Sequence, residues 1–293
     1  MRQYRLELEL FPTRQRARCP ALWQALGDVV ESTADQRLLE QFWQVLELLA
    51  PPPPPPGQIP LLGVPILNGA DRLEQLLASL DAPVHTLALV DHSGGPGPVR
   101  QLLEQLERQG CPGVEQVRVA RPFGNGGVAT AWNGILRSFP EAAWALLVNH
   151  DVVMAPGVLA AVAARLDGRR PQWLSLLPPP AAYSAFAVTA LAWNRLGLFE
   201  ESFQPAYWED NDYQDRLEAD PLVERIGEGP WLAAMAAANP GGSATLAADP
   251  ALERGNRRSF QLNRLWYLSR RRWQGDRRGA WVRQWLGAWD GDG

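Results

Sequence analysis

The sequence predicts an α/β fold: a mostly parallel central sheet with helices on both faces, plus a small N-terminal accessory segment. Three observations carry that prediction. The apolar runs between residues 61 and 148 are continuous rather than alternating, the pattern of strands buried on both faces. Segments with helical spacing separate those runs. Polar residues stand just past three of the runs, at Asn68, Asp91 and Asp151, where such sheets bind their ligands.

Taken in order, residues 61–67 form an apolar run and 71–80 carry a helical pattern. Residues 86–90 form a second run that ends at Asp91, and 99–109 are helical. A short strand is expected over 117–120, a helix over 127–139 and a strand over 144–148. Residues 156–166 are helical, with Pro156 at a favoured first-turn position. A helix over 211–219 with Asp210 as its N-cap is the alternative to a chemical role for that acid, and the two are compatible.

Upstream of this block, Pro51 to Pro56 is a six-proline run followed by Gly57, which excludes helix or sheet interior. As polyproline it makes a stiff rod of roughly 19 Å, read here as a linker over 51–57. Before it, residues 5–10 alternate like a half-buried strand. Leu38, Leu39, Phe42, Leu46 and Leu49 mark an amphipathic helix. Residues 1–50 are then either a small accessory module or an extension packed on the main domain. The main domain is placed at 58–250 and an Arg/Trp-rich helical segment at 251–293.

Composition narrows the chemistry. The chain has 293 residues, 46% of them hydrophobic, enough for one large α/β domain and an appendage. Its net charge of −4 is uneven: ten Arg and one acid, Asp276, lie between Arg254 and Arg283, leaving that segment at +9 and the remainder at −13. All 28 basic residues are Arg. A lysine Schiff base and a P-loop lysine are therefore excluded. The two cysteines, Cys19 and Cys111, make neither a disulfide framework nor a metal-ligand pair. No apolar stretch reaches transmembrane length, and charges at Arg2, Arg5, Glu7 and Glu9 do not suit a signal peptide. A soluble cytoplasmic protein is the expectation.

Several residues are candidates for chemistry. Asp91 closes the run Leu87-Ala88-Leu89-Val90 and precedes His92-Ser93-Gly94-Gly95. Its carboxylate suits a base or ribose, or alternatively caps a turn. Asn125-Gly126-Gly127-Val128 opens a helix whose free amides suit an anion such as diphosphate, or form a plain cap. Asp151 closes Trp144-Ala145-Leu146-Leu147-Val148-Asn149-His150 and is the candidate ligand for Mg²⁺ or Mn²⁺, with a turn cap as the alternative. Glu209 and Asp210 follow Tyr207 and Trp208, whose rings desolvate a carboxylate and strengthen it as a base. Trp132, Trp208 and Trp231 suit stacking on sugar faces or packing in the core. The C-terminal arginines suit donor phosphates, an acidic acceptor or an anionic membrane surface, or simply face solvent on an amphipathic helix. No nucleic-acid motif accompanies them.

At these residues the chain resembles the family-2 glycosyltransferases of the GT-A fold, over roughly 61–273. Val64-Pro65-Ile66-Leu67-Asn68 is similar to the opening strand of that family, and Leu89-Val90-Asp91-His92-Ser93-Gly94 to its base-binding strand. The run from Asn125 to Asn133 is similar to the helix beside the donor. Tyr207-Trp208-Glu209-Asp210-Asn211-Asp212-Tyr213 resembles the acceptor-side acidic motif. It is the most specific of the four, with Ser184-Ala185-Phe186-Ala187 and Gly197-Leu198-Phe199-Glu200 before it.

The resemblance implies an inverting enzyme that moves a sugar from a nucleotide-diphosphate sugar to an acceptor hydroxyl on a glycan, lipid-linked or protein acceptor. It implies Pro65, Asn68, Asp91, Ser93, Gly127, Asn133, Asn149 and His150 around the donor, and Asp151 at a metal-diphosphate site. Asp210 would be the general base, beside Glu209. The chain departs from the family at two places. One carboxylate, in Asn149-His150-Asp151, stands where the family usually has Asp-x-Asp. Asn239-Pro240-Gly241-Gly242-Ser243 lacks the His that often precedes Gly-Ser. Those losses motivate an alternative, a non-catalytic sugar-nucleotide-binding or scaffold protein on the same fold.

Overall fold

The computed structural model of the chain describes residues 51–227, 229–240 and 250–276. The strand and helix expected within residues 1–50 lie outside the described residues.

The elements run β1 (Ile59–Ile66), α1 (Ala70–Ala78), β2 (Val84–Asp91), α2 (Pro98–Gln109), β3 (Val114–Ala120), α3 (Gly127–Ser138) and β4 (Trp144–Val148). They continue with α4 (Val158–Arg165), β5 (Gln172–Ser175), a 3₁₀ turn (Ala182–Ser184), β6 (Ala185–Thr189) and α5 (Ala190–Leu196). Then come α6 (Glu209–Ala219), β7 (Glu224–Ile226), α7 (Trp231–Ala238) and α8 (Pro250–Asp276).

The strands form a seven-stranded sheet in the order β3-β2-β1-β4-β6-β5-β7. All neighbours are parallel except at β6, which is antiparallel to β4 and to β5. Leu62 sits at the centre, in register with Leu87 of β2 on one side and Leu146 of β4 on the other.

Two cores flank the sheet. Leu62, Val64 and Ile66 of β1 join one, with Leu73 and Leu76 of α1, Leu103 of α2, Val162 of α4 and Met235 of α7. Leu61 joins the other, with Trp132 and Ile135 of α3, Trp193 of α5 and Tyr213 of α6. Helices therefore cover both faces, as the continuous apolar runs predict. In β4, Leu146 belongs to the first core and Leu147 to the second, so the strand has no polar face. Each such buried leucine contributes roughly 1.5–3 kcal/mol. Gly63 lets α3 lie close on the sheet: a Cβ there would stand 2.6 Å from Leu147 Cδ2 and 2.9 Å from Ile135 Cγ2.

Two helix starts differ from the sequence expectation. Helix α4 begins at Val158, after Gly157 in the left-handed region at φ 77°, so Pro156 precedes the helix rather than opening it. Helix α6 begins at Glu209, and its N-cap is Trp208 rather than Asp210. No helix among the described residues is long and apolar enough to cross a membrane.

The strand order turns around between β1 and β4: β2 and β3 lie on one side and the later strands on the other. In parallel sheets that break opens a crevice at the carboxyl ends, where ligands sit.

Candidate active site

A cavity of about 420 Å³ occupies this crevice. That volume suits a small organic ligand. Pro65 and Ile66 at the end of β1 with Leu67 after it, His92 after β2, and Asn149 and His150 after β4 form its sheet side. Val128 and Trp132 of α3, Tyr183 in the 3₁₀ turn, and residues 205–211 enclose it further. Asn256 and Phe260 of α8 complete the wall.

Glu209 and Asp210 both line the cavity and stand in the first turn of α6. Glu209 is 5% exposed, and its Oε2 has no hydrogen-bond partner. Burial, reinforced by the Asp210 charge, pushes its carboxyl up to about 8, against the pull of nearby amides. Burial also raises the Asp210 carboxyl, while amides of the first helical turn draw it back. One of these is the Asn211 amide, which donates to Asp210 Oδ1 at 2.9 Å. The environments of the two acids thus separate them. With its pKa at about 8, Glu209 keeps its proton near neutral pH, while the Asp210 carboxyl is raised by burial and drawn back by the helix amides.

The backbone entering this turn is strained. Tyr207 and Trp208 both adopt φ 78°, a region that bulky residues avoid. Helix α8 holds them there. The side-chain amide of Asn263 donates to the carbonyls of Gln204, Ala206 and Tyr207 at 3.3, 3.0 and 3.2 Å. Trp208 Nε1 donates to the Phe260 carbonyl at 3.1 Å. The Trp208 ring packs 5.4 Å from the Phe260 ring and 5.0 Å from the Tyr267 ring. Tyr267 in turn donates to Asp215 Oδ2 of α6 at 2.6 Å. Helix α8 is therefore part of the site's scaffold, and among its described side chains the buried stripe is Asn256, Asn263 and Tyr267.

The strand ends divide into residues that face the cavity and residues that do not. Pro65, Asn149 and His150 line it; Asn68, Asp91, Ser93, Gly127, Asn133 and Asp151 do not. Both oxygens of Asp91 are engaged inside the protein. Ser93 donates through its amide at 3.0 Å and its hydroxyl at 2.5 Å, and Arg100 Nε donates at 2.7 Å. Burial would raise this carboxyl, but the Ser93 and Arg100 contacts outweigh it and hold it low. His92 reaches the cavity in its place, with Nε2 buried and unpartnered. Burial lowers the His92 pKa against the Asp91 charge. His150 behaves alike: burial lowers it, Asp151 opposes, Arg72 adds to the lowering, and its Nε2 lacks a partner. The unpartnered polar atoms of His92, His150, Trp132 and Glu209 all belong to cavity-lining residues. Buried polar atoms without partners are costly, and four of those residues border this cavity.

Two expected donor contacts take other roles. The Gly127 amide donates to Asn125 Oδ1 at 3.0 Å and the Val128 amide to the Pro205 carbonyl at 3.2 Å, so neither is open to an anion. Gly127 instead lets Pro205 approach: a Cβ there would stand 2.5 Å from its carbonyl oxygen, at φ 86°. Asn133 is fully buried, donating to Phe199 O and Glu201 Oε1 at 2.8 Å each and accepting from Phe199 N at 2.9 Å. It ties α3 to the segment before the acidic turn. Asn68 Oδ1 is buried without a partner, outside the lining.

A divalent cation, expected at Asp151, finds no ready donor set. Among the described residues no group of three or more His, Cys, Asp or Glu side chains is placed to hold a metal ion. The end of β4 offers Asn149 and His150 to the cavity, but no carboxylate. Hard cations require several oxygen ligands, so these residues do not fit Mg²⁺ or Mn²⁺ by themselves.

His92, Tyr183, Asn256 and Phe260 are wall residues that sequence reasoning does not single out. The spacing Asn256, Phe260, Asn263, Tyr267 holds a signal for the last two, since it repeats on one helical face.

No protein-family model and no curated protein matches the chain. Among solved structures, it is similar to the mannosyltransferase PcManGT from Pyrobaculum calidifontis in complex with GDP-Man and Mn²⁺. The identity is 16% and the TM-score 0.48, covering 72% of this chain and 67% of that one. It is also similar to GalNAc-T7 with UDP, GalNAc and Mn²⁺, at 11% identity and TM-score 0.48, over 58% of this chain and 42% of that one. A third is S. aureus TarS 1-349, at 14% identity and TM-score 0.44, over 59% and 58%.

Proposed function

We propose that the protein is an inverting glycosyltransferase of GT-A type that moves a sugar from a nucleotide-diphosphate sugar to an acceptor hydroxyl. The observation that carries this reading is the Glu209-Asp210 pair, set by a strained turn into a cavity at the switch point of a mostly parallel sheet. The likeness of the 207–213 motif to the acidic motif of that family supports it.

Asp210 is the general base. It takes the acceptor proton as the acceptor oxygen bonds to the anomeric carbon. The bond from that carbon to the diphosphate breaks on the opposite face, and its electron pair leaves with the nucleoside diphosphate. Glu209, protonated, keeps a second negative charge away from Asp210. His92, Asn149 and His150 bound the donor side of the cavity. No step is assigned to a metal ion.

The test is a panel of nucleotide sugars scored by thermal shift, since a ligand that binds only the folded protein raises its melting temperature. At least one donor should stabilise the protein and be consumed when acceptors are supplied. A panel with no stabilising member would contradict the reading. Binding without turnover would favour the scaffold alternative.

A further inference from the structure

Helix α8 has an outer surface that the catalytic reading leaves unused. Its Asn256, Asn263 and Tyr267 stripe is buried against the body. Turned away from that stripe, Leu262 is 67% exposed, Leu265 63% and Leu268 44%, while Trp266 at the flank donates to Ser202 Oγ at 2.9 Å. At about 100° per residue, Leu262, Leu265 and Leu268 lie on the half of the helix opposite the buried stripe. This apolar band does not stand alone. Arg254, Arg258 and Arg264 are exposed on the same helix. The sequence continues with Arg270, Arg271 and Arg272, within a segment of ten Arg and one acid.

We propose that the outer face of α8 docks this protein on an anionic lipid bilayer. Apolar side chains in the middle of a helix enter the boundary between headgroups and acyl chains, while flanking arginines reach back to phosphates. A helix of 27 residues is about 40 Å long, ample for such a surface contact. Charge selects the occupant. A second copy would bring the same +9 segment against this one, whereas an anionic bilayer neutralises it. A phosphate backbone alone offers nothing to Leu262, Leu265 and Leu268. Because Asn256 and Phe260 of α8 also wall the cavity, the bilayer would lie about one helix diameter, roughly 10 Å, from that wall.

The experiment is flotation of the full chain with vesicles of pure phosphatidylcholine and of phosphatidylcholine mixed with phosphatidylglycerol. It is independent of any sugar transfer. The protein should float with the mixed vesicles, remain behind with the neutral ones, and be released by salt. The double variant Leu262→Glu/Leu265→Glu should reduce partitioning by about tenfold or more, and so should Arg258→Gln/Arg264→Gln. All four positions are exposed, so the thermal melt of each variant should match the parent. Three results would overturn the proposal. One is no flotation with anionic vesicles. Another is flotation that both variants retain. The third is loss in the leucine variant of self-association, or of binding to single-stranded RNA, in a protein that ignores vesicles.

Discussion

Asn263 of α8 donates its side-chain amide to the carbonyl of Tyr207 at 3.2 Å, and the same amide reaches Gln204 and Ala206. One residue of the C-terminal helix thereby fixes the turn that carries Glu209 and Asp210. Replacing it leaves partly buried carbonyls unpaired, at about 1–3 kcal/mol each where water cannot substitute. Asn263→Ala should destabilise the protein by about 2 kcal/mol or more in urea unfolding. Asn263→Asp should cost more, because a carboxylate would face three carbonyl oxygens. Equal stability of all three proteins would remove α8 from the account of the site.

Two glycines in α3 should respond in opposite directions. Gly127 stands at φ 86° against the Pro205 carbonyl, so Gly127→Ala meets both strain and a clash. It should destabilise by upwards of about 1 kcal/mol. A Cβ on Gly134 would meet no atom within 4 Å, in the middle of the same helix. There Gly134→Ala should stabilise by about 0.5–1 kcal/mol. Denaturant titrations of the pair decide the point.

Glu209 should make stability depend on pH. Its folded-state pKa, about 8, lies above the ordinary 4.5. As pH rises past 4.5 the unfolded chain releases this proton while the folded chain keeps it, so folding becomes less favourable up to about pH 8 and level beyond. Glu209→Gln is neutral throughout and lacks that slope. Calorimetric melts should show the variant gaining on the parent between about pH 5 and pH 8. A constant difference would mean that Glu209 is not held protonated.

The β4 end also yields a prediction for metals. With Asn149 and His150 the β4-end residues that line the cavity, Mn²⁺ or Mg²⁺ should change the affinity for a nucleoside diphosphate by less than about tenfold. Titration calorimetry with and without EDTA measures this. A hundredfold dependence, abolished by Asp151→Asn, would restore Asp151 as a metal ligand.

Much of the first half of the sheet is legible in the sequence. Residues 144–148 read as a strand and form β4 with those bounds: Trp144 to Val148 is apolar throughout and ends at Asn149. The runs at 61–67 and 86–90 become β1 and β2 with ends shifted by a residue or two. Strands β5, β6 and β7 are not legible. They hold four, five and three residues, and β6 runs straight into the equally apolar start of α5, so the local pattern does not mark them off. The reversed direction of β6 depends on pairing with β4 across the sheet, which local pattern does not encode.

At the site, Glu209 and Asp210 are readable from their motif, and Asn149 and His150 from the family resemblance. Asp91 shows the limit of that logic. A strand-end carboxylate looks the same in sequence whether it faces a ligand or, as here, Ser93 and Arg100. Likewise Gly127 is a helix-opening glycine whose partner, Pro205, is remote in the chain.

The central claim is that Asp210 accepts the acceptor proton. The most direct measurement is single-turnover sugar transfer by Asp210→Asn beside the parent, using a donor found by thermal shift, with donor affinity measured by calorimetry. Donor affinity should stay within about threefold. Transfer should fall by about 10²–10⁴, the usual contribution of a general base. Transfer by the variant within a few-fold of the parent, at unchanged donor affinity, would contradict the account.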